Sequence, residues 1–136
     1  MALLHVLELL EATQKFENKL NLALMYSGLR LPQFRTMLVL EKSGKITVSD
    51  LSRCLNVTRA TMSVLVNQLH KADIVETIKN VKDKRSFYIR LSDSGLARLK
   101  LAKKEVTLVE EKISQQYSDV TIDSLNHFAA SLLTKS

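Results

Sequence analysis

The stretch that decides the fold is residues 46–69, which read ITVSDLSRCLNVTRATMSVLVNQL. Thr47 precedes a short run with helical apolar spacing, and Asp50 three residues later gives the pattern of a capping box. Asn56 falls where a tight turn needs a left-handed residue, which asparagine tolerates better than most. Thr58 then predicts the N-cap of a second helix. Two short amphipathic helices joined in this way are typical of a helix-turn-helix.

The second of these helices is predicted to have a buried face and an exposed face, since successive residues advance by about 100° around a helix. The buried face is expected to carry Met62, Leu65, Val66 and Leu69. The exposed face and its N-terminal edge are expected to carry Thr58, Arg59, Ala60, Ser63, Val64 and Asn67.

Two segments rich in β-branched and aromatic residues follow, Ile74–Ile78 and Phe87–Leu91. Between them, Lys79–Ser86 holds four cations and one carboxylate, that of Asp83. Two strands joined by a basic hairpin, directly after a helix-turn-helix, predict a wing.

Helices are predicted on both sides of this unit. An apolar helix from about Ala2 to Ser27 is expected to stop at Gly28. A second helix, Leu31–Lys42, has Pro32 in its first turn and Gly44 after its end. Its expected core positions are Phe34, Met37, Leu38 and Leu40.

A short strand is expected at Lys45–Thr47, and two more helices after the wing. Ser92 is placed to cap a long helix beginning near Asp93, and a last helix spans Ile122–Leu133. The long helix carries a heptad seam made of Leu99, Ala102, Val106, Val109 and Ile113. Because the seam covers only about two heptads, we interpret it as a packing face that can meet another subunit.

Composition is consistent with one mainly helical domain. The 136 residues include three glycines and one proline, and the net charge is +6. That charge suits nucleic acid or an acidic membrane surface, although a modestly basic protein can equally bind nothing charged. The single cysteine, Cys54, excludes an intrachain disulfide. With no signal peptide or transmembrane stretch recognised, a cytoplasmic location is expected.

Three segments together resemble the MarR family of winged helix-turn-helix transcription regulators. LPQFRTMLVL (31–40) resembles the helix before the family's DNA-binding unit, residues 46–69 resemble its helix-turn-helix, and DKRSFYIRLSDSG (83–95) resembles its second wing strand and next helix. Asp83-Lys84-Arg85 corresponds to the family's Asp-x-Arg wing motif, and Leu91–Gly95 to its Leu-Thr-x-x-Gly segment.

The resemblance implies a mainly α fold with a small β-wing, as a single domain over 1–136. It implies dimerisation helices at 1–28 and 95–136 and a DNA-binding lobe at 31–92. The function expected is that of a homodimeric, sequence-specific regulator, a repressor, bound to a pseudo-palindromic double-stranded operator. Many relatives bind a small, often aromatic anion between the dimer helices and this lobe. No effector is fixed here, and we interpret the residues of that region, His5, Phe16, Tyr26 and Arg30, as core residues.

Some positions depart from the family pattern. Asp73 stands where the family usually has glycine, and Thr77 and Ile78 where arginine is frequent. Val64 occupies a position that is often basic in the recognition helix. These changes lower the positive charge expected to face DNA, so either the affinity or the site preference is expected to be unusual.

Side-chain chemistry suggests roles on the recognition helix, whose N-terminal residues meet base edges in the major groove. Arg59 can bind guanine or a phosphate, and Asn67 adenine or the backbone. Ser63 suits base or phosphate, whereas Ala60 and Val64 suit a thymine methyl.

In the wing, Arg85 suits the narrow, electronegative minor groove of A/T-rich DNA. Asp83 is expected to fix its guanidinium through a charge-assisted bond. Phosphate contacts are expected from Lys79, Lys82 and Lys84. The plainer interpretation of the helix face and of the wing is an ordinary solvated surface.

Other functional classes find little support. The sequence has no phosphate-binding glycine loop, nucleophile elbow or paired-carboxylate motif, so an enzyme is not expected. Its histidines are scattered, and neither a metal nor another cofactor is expected. Cys54 is interpreted as a structural or incidental thiol. The open alternative is a winged-helix module that binds a protein partner, which the reduced charge at Val64, Thr77 and Ile78 favours.

Overall fold

The computed structural model describes residues 1–135, and in them a mainly helical fold carries one small antiparallel sheet. A 3-10 turn, Met25–Ser27, extends the first helix. The elements in chain order are α1 (Val6–Leu24), α2 (Leu31–Ser43), β1 (Ile46–Thr47), α3 (Val48–Cys54), α4 (Arg59–Lys71), β2 (Val75–Lys79), β3 (Phe87–Leu91), α5 (Asp93–Ser114) and α6 (Asp119–Thr134). This architecture confirms the predicted fold class, a helix-turn-helix with a wing between longer helices.

The first helix begins later than predicted, at Val6 instead of Ala2. His5 occupies the N-cap position without a capping hydrogen bond from its side chain. At the other end, Gly28 has a left-handed φ of 70° and its N–H donates to the Met25 carbonyl at 3.0 Å. The predicted stop at Gly28 is therefore confirmed.

Helix α2 begins and ends close to the predicted residues. The backbone N–H of Arg30 donates to the Gln33 side-chain oxygen at 2.9 Å, and Pro32 occupies the first turn. Phe34, Met37 and Leu40 are buried as expected. Leu38 is only half-buried, whereas Thr36, which was not expected in the core, is fully buried. Its hydroxyl donates to the Pro32 carbonyl at 2.8 Å, which satisfies it inside the core.

The sheet has the strand order β1-β3-β2, and both pairings are antiparallel. Val75 pairs with Leu91 and Lys79 with Phe87, so the hairpin that follows α4 is closed by regular pairing up to its loop. The second strand lies one residue later than predicted. Ile74 is not part of it because its N–H still bonds to the Leu69 carbonyl of α4, at 2.9 Å.

The junction between α4 and β2 has an unusual backbone. Asp73 adopts a left-handed φ of 59°, and its carbonyl accepts the Ser92 hydroxyl proton at 2.6 Å. A residue with positive φ is cheapest as glycine, which gives a physical reason for the glycine that the family pattern has here.

One core lies between α2, α3, α4, the sheet and the first half of α5. The predicted inner face of α4 is confirmed at Met62, Val66 and Leu69, while Leu65 is half-buried. The heptad seam of α5 is divided. Leu99 and Ala102 are buried in this core, whereas the later seam positions are only partly covered, namely Val106, Val109 and Ile113.

The outer helices leave most of their apolar side chains exposed. Within residues 1–135, α6 buries no residue and α1 buries only Leu24. The exposed large apolar residues of these two helices are Val6, Leu7, Leu10, Phe16, Leu22, Val120, Leu125, Phe128, Leu132 and Leu133.

The interpretation of four residues as core is wrong. Phe16 is 43% exposed and Tyr26 is 87% exposed, and His5 and Arg30 are exposed as well. Only Phe16 lies within α1; His5 precedes that helix, Tyr26 is in the 3-10 turn, and Arg30 precedes α2.

Candidate nucleic-acid interface

The first helix of the helix-turn-helix is capped at its N-terminus. The Thr47 hydroxyl oxygen accepts the Asp50 N–H at 3.2 Å, as predicted. The return half of the capping box is replaced by an ion pair, since the Asp50 carboxylate binds Arg53. The Arg53 guanidinium, assisted by the Thr47 hydroxyl, lowers the pKa of Asp50 below its usual value. Cys54, at the end of the same helix, is exposed.

The turn between the two helices is built as predicted. Asn56 has a left-handed φ of 53°, and its N–H donates to the Arg53 carbonyl at 3.2 Å. The next N–H, that of Val57, donates to the Ser52 carbonyl at 3.1 Å. The chain thereby leaves α3 and enters α4 after a few residues, with the N–H groups of Asn56 and Val57 both bonded.

The Thr58 hydroxyl caps α4, accepting the Thr61 N–H at 3.1 Å. All six residues predicted for the exposed face lie in solvent: Thr58, Arg59, Ala60, Ser63, Val64 and Asn67. A link at the flank of this face was not foreseen. The Gln33 amide donates to the Gln68 side-chain oxygen at 3.2 Å and ties α4 to α2.

The loop of the wing is held by its own backbone and side chains. The Asp83 carboxylate accepts the Arg85 N–H at 3.0 Å, and the Asp83 carbonyl accepts the Ser86 N–H at 3.2 Å. The expected ion pair is long, with 3.5 Å between the Arg85 Nε and Asp83 Oδ1. Asp83 therefore fixes mainly the backbone at Arg85, whose side chain is 94% exposed.

The other wing cations are also free to meet a ligand. Lys79, Lys82 and Lys84 are exposed and form no ion pair with any residue in 1–135. Arg90, by contrast, lies on β3 with its guanidinium 2.8 Å from the Glu76 carboxylate, which offsets its charge. Within the wing, the positive charge that no carboxylate offsets therefore lies in the hairpin loop and at the end of β2 beside it.

Two residues near the wing were missed by sequence reasoning. Lys45 places its Nζ 4.7 Å from the centre of the Tyr88 ring, a cation–π contact beside the hairpin. Asn80, the residue after β2, is buried and bonds within the loop. Asparagine at the start of a loop often accepts the backbone N–H two residues later, and this tendency was the available signal for the Asn80–Lys82 bond, although not for the burial of Asn80.

Two other kinds of site find no support in the described part of the chain. No group of three or more His, Cys, Asp or Glu residues within 1–135 is arranged to hold a metal ion. Over the same residues, no helix is long and apolar enough to cross a bilayer.

The sequence and the fold were compared with those of known proteins. Residues 27–86 match the model of the MarR family. The HTH-type transcriptional regulator SarZ of Staphylococcus haemolyticus is 28% identical over 97 residues. That alignment covers 69% of this chain and 65% of SarZ, so the chain spans just under two thirds of that relative's length. Over residues 27–86, from the turn before α2 to the end of the wing loop, this chain is therefore similar to the MarR family.

Solved structures share the fold over nearly the whole chain. The transcriptional repressor CouR, bound to a 23-mer DNA duplex, superposes with a TM-score of 0.90 at 21% identity, covering 96% of this chain and 92% of CouR. A mutant of Escherichia coli MarR complexed with operator DNA gives 0.83 at 20% identity, covering 92% and 90%. MarR-family proteins are transcription regulators and not enzymes.

Proposed function

We propose that this chain is a homodimeric repressor of the MarR family that binds double-stranded DNA through α4 and the wing. The observation that carries the proposal is the pairing of a capped, exposed helix face with a basic hairpin loop. The proposal is supported by relatives of the same fold, since CouR is bound to a DNA duplex and MarR to operator DNA. A regulator of this kind acts in the cytoplasm.

Helix α4 enters the major groove with its exposed face toward the bases. Arg59 binds guanine or clamps a phosphate, Asn67 binds adenine or the backbone, and Ser63 serves either. Thr58, Ala60 and Val64 complete the contact face. Because Val64 is 58% exposed and has no polar group, the thymine methyl is its natural partner.

The wing supplies charge and a minor-groove contact. Arg85 enters the minor groove, where A/T-rich sequences narrow the groove and strengthen its negative potential. Lys79, Lys82 and Lys84 bind phosphates, which adds affinity without reading sequence. Asp83 is part of the site as the residue that shapes the loop behind Arg85.

The exposed apolar surface of the outer helices supports a dimer. Within one chain, neither α1 nor α6 has enough neighbours to cover side chains such as Leu7, Leu125 and Leu132, which are 76%, 52% and 60% exposed. A two-fold mate formed over 1–28 and 95–136 removes this surface from water. It also presents two copies of α4 to a pseudo-palindromic site, about one helical turn apart or slightly more.

A cleft beside α4 is the place where an effector would act on this regulator. It has a volume of about 490 Å³, lies between α1, α2 and α4, and is lined by both Arg30 and Arg35. The two guanidinium groups favour an anionic ligand. Glu17, which lines the cleft from α1, adds a negative charge that restricts which anions can bind there. A ligand seated there touches the outer helix and the recognition helix together, as coupling between ligand and DNA requires.

The test begins with selection of bound duplexes from random-sequence DNA, followed by titration of the best duplex at several salt concentrations. Enrichment of a two-fold symmetric, A/T-rich site is expected. Six or more phosphate contacts per dimer predict a loss of affinity of about 10³-fold between 50 and 200 mM salt. A protein-binding module would enrich no sequence and show little salt dependence, and that outcome would contradict the proposal.

A further inference from the structure

We propose that Asn80 is a positioning residue for the wing, holding the loop in the shape that delivers Arg85 to DNA. The inference rests on the proposed role of Arg85 and adds to it a residue that touches no DNA itself.

Asn80 is the first residue after β2, where the hairpin loop begins, and it is only 9% exposed although its neighbours are in solvent. Both ends of its amide are used. The Oδ1 atom accepts the Lys82 N–H at 3.1 Å, and Nδ2 donates to the Ser86 hydroxyl oxygen at 2.9 Å. Asn80 therefore joins the start of the loop to its end.

The bonds continue from Ser86 to the tip. The Ser86 N–H donates to the Asp83 carbonyl at 3.2 Å, and the Asp83 carboxylate accepts the Arg85 N–H at 3.0 Å. A continuous set of hydrogen bonds thus runs from the buried amide to the backbone of Arg85. The arginine side chain itself has no firm anchor, since its Nε lies 3.5 Å from Asp83 and the side chain is 94% exposed.

This arrangement matters because an arginine that enters a groove loses conformational freedom, and a loop already shaped for binding lowers that cost. The Arg85 guanidinium is free to change its position, but the loop fixes the backbone of Arg85 from which the side chain extends. Without the Asn80 amide, the two sides of the loop lose the side-chain bridge between them. Arg85 would then start from many positions, few of which reach the groove.

The experiment is a double-mutant cycle on the full chain, using the duplex selected by the wild-type protein as the probe. The four proteins are wild type, Asn80→Ala, Arg85→Ala and the double variant. Asn80→Ala is expected to weaken binding about 5-fold to 10-fold in the wild-type background. With Arg85 replaced by alanine it should change affinity by less than about 2-fold, because a positioning residue has nothing left to position.

Ser86→Ala removes the same bridge from its other end and guards against a folding defect of Asn80→Ala. Its loss of affinity should also disappear when Arg85 is alanine, while the unfolding temperature of each variant reports on the fold. An equal loss from Asn80→Ala and Ser86→Ala in both backgrounds, or no loss in either, would overturn the inference. If Arg85→Ala alone leaves affinity unchanged, the proposed role of Arg85 fails as well, so the two failures are distinguishable.

Discussion

Gly95, in the first turn of α5, lies against the backbone carbonyl of Ile74 with no room for a β-carbon between them. The same carbonyl accepts the Ser92 N–H at 2.9 Å, so the start of α5 is joined closely to the entrance of β2. This contact gives a physical reason for the glycine in the segment that resembles the family's Leu-Thr-x-x-Gly. It also links the wing to the long helix that leads toward the proposed dimer.

Gly95→Ala is expected to destabilise the fold by about 1–3 kcal/mol, the usual cost of forcing an extra carbon into a packed interior. The obstacle is backbone and cannot rotate away, so the value should lie toward the upper end. Urea unfolding measures it, with Ser94→Ala at the neighbouring exposed position as the control. Equal free energies of unfolding for the two variants would contradict this expectation, since the backbone at the junction would then move aside without loss of stability.

Asp73→Gly is expected to stabilise the protein modestly, by about 0.5 kcal/mol, because glycine adopts a positive φ freely. The change also removes a carboxylate from the C-terminal end of α4, where negative charge is unfavourable. Lys71→Gly, two residues earlier within the helix, should instead cost about 1 kcal/mol. Thermal unfolding should give a higher midpoint temperature for Asp73→Gly and a lower one for Lys71→Gly than for the wild type. Destabilisation by Asp73→Gly would contradict the argument from backbone conformation.

A double change, Leu125→Glu with Leu132→Glu, is expected to convert the proposed dimer into a monomer. The two residues are seven apart and share one face of α6, so charges there oppose burial against a partner. The chain's own core should persist, because α6 buries no side chain in it. Sedimentation velocity at micromolar concentration is the measurement, with Asn126→Glu as the control. A wild-type chain that is already monomeric would refute the dimer itself.

Local signals in the sequence were sufficient for the helix-turn-helix. Thr58 caps α4 and Asn56 takes the left-handed turn because each effect is decided within a few residues of backbone. The inner face of α4 was equally readable, since helical spacing alone places Met62, Val66 and Leu69 on one side.

Burial and the partners of individual side chains could not be predicted from local signals in this way. The core assignment of Tyr26 failed because an apolar environment along the sequence does not say which residues pack against each other in the fold. The Asp83–Arg85 contact was expected between side chains, whereas the shorter bond goes to the backbone. The burial of Asn80 depends on β3, which begins seven residues later and pairs with β2. No local sequence pattern around Asn80 specifies that pairing.

The measurement that tests the central claim most directly is a titration of the selected duplex with wild-type protein and Arg85→Ala at one fixed salt concentration. Lys112→Ala, which removes one exposed cation from α5, is the matched control for net charge. We predict that Arg85→Ala weakens binding by more than about ten-fold, roughly the loss of one good contact, with the dimer intact and the Lys112 control near wild type. Equal affinity of all three proteins would contradict the account of the wing as a DNA-binding element.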